Sequence, residues 1–145
     1  MADTNEVGAK WVEAFNSHDE AWIRELNTDD TVLEAPGEVR LEGTDASTEY
    51  AMGWLRAFSD ARLVVSNELA DGDTVVQEFT FEGTHDNTLS GPAGDIPATN
   101  RRLTGRGVQV LRVEDGKVAE TRLYYDQVQV MTQLGLMPEP ATASA

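Results

Sequence analysis

The chain has 145 residues, 40% of them hydrophobic and 26% charged, which suits one globular domain with one core and not a disordered segment. Its net charge of -15 leaves little basic surface for a phosphate backbone or an anionic membrane, so neither nucleic acid nor a membrane is an expected partner. There are no cysteines and only two histidines, which excludes disulfides and thiolate metal sites and leaves no metal-ligand spacing. No apolar run approaches the roughly 18 residues of a membrane span. The first ten residues lack the basic flank and apolar core of a leader peptide. A cytoplasmic protein is the expectation.

In chain order, Val7, Trp11 and Phe15 recur at four-residue spacing and predict a helix over about Glu6 to Asn16. Ser17, with Glu20 three residues on, reads as a capping box for a second helix that turns Trp22, Ile23 and Leu26 inward. His18, at that helix start, reads as surface. Thr31 to Ala35 and Val39 to Leu41 form a short strand pair around the Pro36-Gly37 turn. A third helix, capped by Thr44 or Asp45, runs to about Phe58 and carries Tyr50, Trp54 and Phe58 on one stripe. That stripe is either core packing or a pocket wall.

From residue 61 the apolar period changes from that of a helix to two. Arg62 to Leu69 and Thr74 to Thr84 are strands joined through Asp71-Gly72. Leu103 to Glu114 pairs with Val118 to Tyr125 through Asp115-Gly116. Residues 85–100, rich in Gly, Pro, Asn and Asp, have no period and read as a long functional loop. Residues 1–137 are expected to form a single domain and 138–145 a flexible tail. Helices segregated to one face of a curved antiparallel sheet predict an α+β fold, a cone closed by three N-terminal helices around a pocket.

A two-residue turn at Asp115-Gly116 sets a register for the last hairpin. Counted outward, Gln109 faces Arg122, Gly107 faces Tyr124 and Gly105 faces Asp126. One face of the sheet then gathers Gln109, Arg122, Tyr124 and Asp126 beside two glycines, which is the makeup of a ligand pocket. Asp126 is the candidate acid/base residue, since a carboxylate enclosed by aromatic rings has its charged form desolvated. The same residue reads equally as the N-cap of a helix that starts at Gln127. His85 ends a long strand at the mouth of the loop, where an imidazole can donate to a carbonyl or exchange protons. Arg101, Arg102 and Arg106 read as a solvated cluster making surface ion pairs.

Five runs together resemble a known family: F-E-G-T-H (81–85), G-D-I-P-A-T-N-R (94–101), D-G-K-V-A-E (115–120), Y-Y-D-Q (124–127) and Q-L-G-L (133–136). They are similar to the SnoaL-like polyketide cyclases, part of the nuclear-transport-factor-2-like superfamily of cone-shaped α+β folds. The resemblance implies that Asp126 removes a proton from an activated carbon of a polyketide ester, after which an intramolecular aldol addition closes a ring. It implies no metal and no organic cofactor; the alternative expectation is a small-molecule-binding module without turnover, or a relative acting as hydroxylase, isomerase or epoxide hydrolase. His85 matches the G-T-H motif and is the second expected catalytic residue. Where the family places a histidine on the preceding long strand, this chain has Gln109, Val110 and Arg112. Asn100 stands where a glycine is common. Gln109, Arg122, Tyr124, Trp54, Phe58, Phe15 and Trp11 are the expected substrate-binding residues. The expected partners are a small apolar or polyketide-like molecule and a second copy of the chain, docked through the sheet.

Overall fold

The computed structural model describes residues 4–91 and 94–138. The predicted tail therefore lies outside the described residues, apart from Pro138. Three helices, α1 (Thr4–Asn16), α2 (Glu20–Glu25) and α3 (Thr44–Ala57), pack on a six-stranded sheet. Its strands are β1 (Asn27–Ala35), β2 (Val39–Glu42), β3 (Arg62–Asp71), β4 (Thr74–Thr84), β7 (Arg102–Glu114) and β8 (Lys117–Tyr125), in the order β2-β1-β8-β7-β4-β3. Residues 85–100 are not wholly irregular, because β5 (Leu89–Gly91) and β6 (Gly94–Ile96) pair there as a separate two-stranded sheet. A last helix, α4 (Gln127–Gln133), follows β8. This is the expected α+β cone with a curved sheet. One pair, β1 with β8, is parallel, which joins the early hairpin to the long meander.

The apolar stripes do what their spacing predicts. Val7, Trp11 and Phe15 of α1 are buried against Val75 and Phe81 of β4, within one continuous core. Gly8 lets α1 approach the sheet closely, for a Cβ there would stand 3.0 Å from Gln77 Nε2 and 3.3 Å from Val75. The start of α2 differs from expectation. Asp19, not Ser17, caps it, accepting from the Trp22 amide at 3.1 Å, while Ser17 donates to the Glu13 carbonyl at 2.7 Å. His18 adopts φ 55 and meets the Ala61 carbonyl through Nε2 at 2.9 Å, so it ties α1 to the start of β3. Helix α3 begins at Gly43 without a side-chain cap, and Thr44 instead donates to the Thr28 carbonyl at 2.7 Å.

Curvature comes from irregular pairing. The ladder shifts between Val65 and Asn67 on β3, between Asn27 and Val32 on β1, and beside Val113 where β7 meets β8. Each extra residue bends its strand and increases the local twist. Beyond Tyr125, β7 continues without β8 as a partner, and α4 covers that edge. The Gln133 side-chain amide accepts from Thr104 N at 2.7 Å and donates to the Thr104 carbonyl at 3.0 Å, so it replaces a strand residue there.

Candidate active site

The last hairpin overturns the predicted register. Glu114 pairs with Lys117 and Val113 with Val118, as counted, but Arg112 then pairs with Glu120, leaving Ala119 as the extra residue. Every later position of β8 is exchanged between the faces. Gln109 sits opposite Leu123, Val108 opposite Tyr124 and Gly107 opposite Tyr125. Thr121, Leu123 and Tyr125 therefore face the cone interior with Gln109. Arg122 and Tyr124, expected in the pocket, lie on the outer face. Arg122 pairs with Glu120, and Tyr124 is 55% exposed. A signal for this was present. In E-T-R-L-Y-Y the charges alternate with Thr121, Leu123 and the second tyrosine, a pattern that favours burying the latter set.

Inside the cone lies a small cavity of about 80 Å³ with almost wholly apolar walls. Trp11 and Phe15 of α1, Trp54 of α3 and Phe79 and Phe81 of β4 line it, as does Gln109. The rings lock one another. Trp11 stacks on Phe15 at 5.5 Å, and Trp54 meets Phe81 edge-on at 5.5 Å. Phe58 is fully buried but does not line the cavity; it packs behind Trp54 and Phe81 at 5.9 and 5.2 Å. Gln109 donates to Gln77 Oε1 at 2.7 Å, and Gln77 donates to Glu68 at 3.2 Å, so the buried amides satisfy each other. Gly107 is required where it stands, since a Cβ would lie 2.7 Å from the Phe79 ring and 2.9 Å from the Tyr124 carbonyl.

Asp126 caps a helix and stands at the edge of the cavity. Its Oδ1 accepts from the amides of Val128 at 2.9 Å and Gln129 at 3.1 Å, which makes it the N-cap of α4. The residue also borders the cavity, beside Gln129 and Gly105. It is exposed, not enclosed by aromatic rings, because β8 ends at Tyr125 and the chain turns outward into α4. Its Oδ2 makes no hydrogen bond among the described residues.

His85 is 0% exposed and lines neither the cavity nor the groove outside it. Its ring stacks on Phe58 at 5.1 Å. The Thr99 amide donates to Nδ1 at 3.3 Å, with Thr99 Oγ1 at 3.0 Å. An accepting Nδ1 puts the proton of the neutral ring on Nε2, which is buried without a partner among the described residues. Burial holds the imidazole below its ordinary pKa, with Asp86 pulling weakly the other way. Backbone bonds from His85 N to the Arg101 carbonyl and from Asn100 N to the His85 carbonyl, both 2.8 Å, make this residue a clasp between β4 and β7. Asn100 adopts φ 59, the left-handed conformation that asparagine tolerates better than most residues, which explains how it replaces a glycine. Of the arginine cluster, Arg102 pairs with Asp60 and Glu82, while Arg101 lies over Gly135.

The sequence reading placed Tyr50 on the α3 stripe that could wall a pocket and gave Tyr125 no role, and both border the cavity and the outer groove. Trp54 meets Tyr125 edge-on at 5.7 Å. Burial pushes both phenols above their ordinary pKa, and for Tyr125 the neighbouring Tyr50 adds to the rise. Both are therefore hydrogen-bond donors at neutral pH. Among the described residues, no three His, Cys, Asp or Glu side chains converge on a metal site, and no helix is long and apolar enough to cross a membrane.

An α+β cone with helices over one face, an apolar cavity and a carboxylate at its edge is the frame of a small-molecule pocket protein. The family model described as SnoaL-like polyketide cyclase matches residues 5–134, and the chain belongs to that family. Over 87 residues it is 33% identical to aklanonic acid methyl ester cyclase DnrD of Streptomyces peucetius, a match covering 59% of this chain and 57% of that protein. The chain thus aligns with little more than half the length of this curated relative. Its fold is similar to that of a proposed SnoaL-like polyketide cyclase from Jannaschia sp. CCS1, with a TM-score of 0.82, 22% identity and 93% of each chain covered. It is also similar to AclR, a proposed hydroxylase from Streptomyces galilaeus, with a TM-score of 0.79 and 26% identity over 97% of this chain and 85% of that one.

Proposed function

We propose that the chain is an acid/base enzyme that closes a ring in a polyketide-like ester by intramolecular aldol addition, without a metal or organic cofactor. The carrying observation is Asp126, a carboxylate with one oxygen held by the first amides of α4 and the other uncommitted, at the rim of an apolar cavity. Membership of the SnoaL-like family and the likeness to an ester cyclase support the reaction class. In the step proposed, Asp126 Oδ2 takes a proton from a carbon between two carbonyls. The carbanion adds to a carbonyl carbon of the same molecule, a carbon–carbon bond forms, and the new alkoxide takes the proton back. The apolar walls keep water from the enolate and strengthen hydrogen bonds to it. Gln109 serves in positioning, through its bond to Gln77.

Incubation with aklanonic acid methyl ester, followed by chromatography and mass detection, tests this. Ring closure gives a product of unchanged mass. Asp126→Asn should abolish it while keeping the helix cap, since asparagine caps about as well as aspartate. Activity at the wild-type level in that variant would remove Asp126 from the mechanism. The likeness to AclR supports hydroxylation as a second reading, and a product heavier by one oxygen would select it.

We also infer a cytoplasmic homodimer formed through the outer face of the sheet. Exposed Tyr124 sits opposite Val108, and Val76 lies opposite Val110 on the neighbouring pair, a row of apolar side chains interleaved with Glu78 and Arg122. Light scattering should give twice the chain mass, falling to the chain mass in Tyr124→Lys. A wild-type monomer would end this inference.

A further inference from the structure

One row of side chains crosses the sheet. Glu68 on β3 stands opposite Gln77 on β4, Gln77 opposite Gln109 on β7, and Gln109 opposite Leu123 on β8. Gln77 is fully buried and Gln109 is 3% exposed, while Glu68 is half-buried on the edge strand. Gln77 Nε2 donates to Glu68 Oε2 at 3.2 Å, and Gln109 Nε2 donates to Gln77 Oε1 at 2.7 Å.

A primary amide can be turned either way round, and a pair of amides bonded to each other has two equivalent senses. Glu68 chooses between them. A carboxylate offers lone pairs and no proton, so Gln77 turns its nitrogen to β3 and its oxygen to β7. That oxygen in turn demands the nitrogen of Gln109. The end of Gln109 turned away from Gln77 is then its oxygen, on the side of Leu123, which has no donor. Gln109 Oε1 makes no hydrogen bond among the described residues, and Gln109 borders the cavity.

A bulge brings Glu68 to this place. Val65 pairs with Phe79, but Asn67 then pairs with Glu78, so Ser66 is the extra residue. Without it Asn67 would stand opposite Gln77. An asparagine amide both donates and accepts, and would leave the sense of the row open. Bulges commonly re-aim a side chain in this way.

We propose that Glu68 is a positioning residue that fixes the sense of the row, so that the cone interior presents an acceptor and selects a ligand bringing a hydroxyl donor, an enol or a phenol, to Gln109 Oε1. The proposal rests on reading the cone as the seat of a polyketide-like molecule. A carbonyl in the same place would set oxygen against oxygen with no proton between them, and a buried acceptor left unpaired costs more than a made bond returns. The ligand therefore enters with a hydroxylated edge at Gln109.

Binding of small rings, not turnover, tests this, since the cavity is only about 80 Å³. Pyrrole carries an N–H donor; furan has nearly the same shape and no donor. Each is titrated into the full chain by NMR, with the indole signals of Trp11 and Trp54 in the cavity wall as the readout. Wild type should bind pyrrole about fivefold or more tightly than furan, although furan leaves water more readily. Glu68→Lys puts a donor in place of the acceptor and reverses the row, so the ratio should fall to about one or below. Gln109→Leu should do the same by removing the acceptor. Damage to the fold would weaken both rings alike, so only the ratio reads the sense of the row. If Glu68→Lys does not fold, Glu68→Gln, which can donate as well as accept, should lower the ratio by about twofold or more. No binding of either ring, a wild-type ratio near one, or a wild-type ratio kept in the folded Glu68 variant or in Gln109→Leu would each overturn the proposal. The expected ratios with no ring closure by wild type would leave the row standing and remove the proposed reaction.

Discussion

The same substitution, glycine to alanine, should have opposite signs at two positions. At Gly53 the new methyl group meets no heavy atom of the described residues outside its helix within 4 Å, and the backbone is ordinary helix. The gain is the difference in helix propensity, about 0.8–1.0 kcal/mol. For a chain of this size it corresponds to a rise in melting temperature of roughly 2–4 °C. At Gly107 the methyl group would sit 2.7 Å from the Phe79 ring and 2.9 Å from the backbone oxygen of Tyr124. The ring can rotate, but the carbonyl belongs to the β8 strand and cannot move without disturbing the ladder. Overpacking of this kind costs about 1–3 kcal/mol, a fall of roughly 2–12 °C. Differential scanning calorimetry on both variants reads the two shifts. A melting temperature lowered by Gly53→Ala, or unchanged by Gly107→Ala, would show the reasoning to be wrong.

Other consequences follow from the same geometry. Asp126→Ala should lower stability by about 1 kcal/mol through loss of the α4 cap, whereas Asp126→Asn should lower it by a few tenths at most; denaturant unfolding separates this from the catalytic loss shared by both. Gln109→Leu alone leaves the buried Gln77 carbonyl oxygen without its donor and should cost about 1–3 kcal/mol. Adding Gln77→Leu should then cost less than its own single effect, and strict additivity in a double-mutant cycle would deny the pairing. For His85 the folded pKa lies below its ordinary 6.5, so on acidification the unfolded chain takes up the proton first. Its contribution is whole above about 6.5 and is lost as pH falls through the lower folded value. Melting curves from pH 8 to 5 should show that slope, and His85→Asn should flatten it; an unchanged slope in the variant would place its origin elsewhere.

Much of the architecture was legible in the residues. Four-residue recurrence marked α1 and α3, period-two patterning marked the strands, and Asp71-Gly72 and Asp115-Gly116 marked the two hairpins, because these signals act over a few residues. The five motif runs pointed to the family, and the family match agrees. The α2 cap was misplaced by two residues, since Ser17 and Asp19 both satisfy the local chemistry and only the Trp22 amide chooses between them. Within residues 85–100 the three-residue strands β5 and β6 were too short for any period to show.

The candidate site divides in the same way. The sequence by itself determined the cast: an aspartate after two tyrosines, an aromatic stripe on each of α1 and α3, and a glutamine on the strand opposite. It could not decide which side chains meet. One extra residue at Ala119 exchanged Arg122 and Tyr124 for Thr121, Leu123 and Tyr125, because strand faces alternate with period two and a bulge reverses the count. His85, next to the loop in the chain, was drawn behind Phe58 by long-range pairing with Thr99 and Arg101.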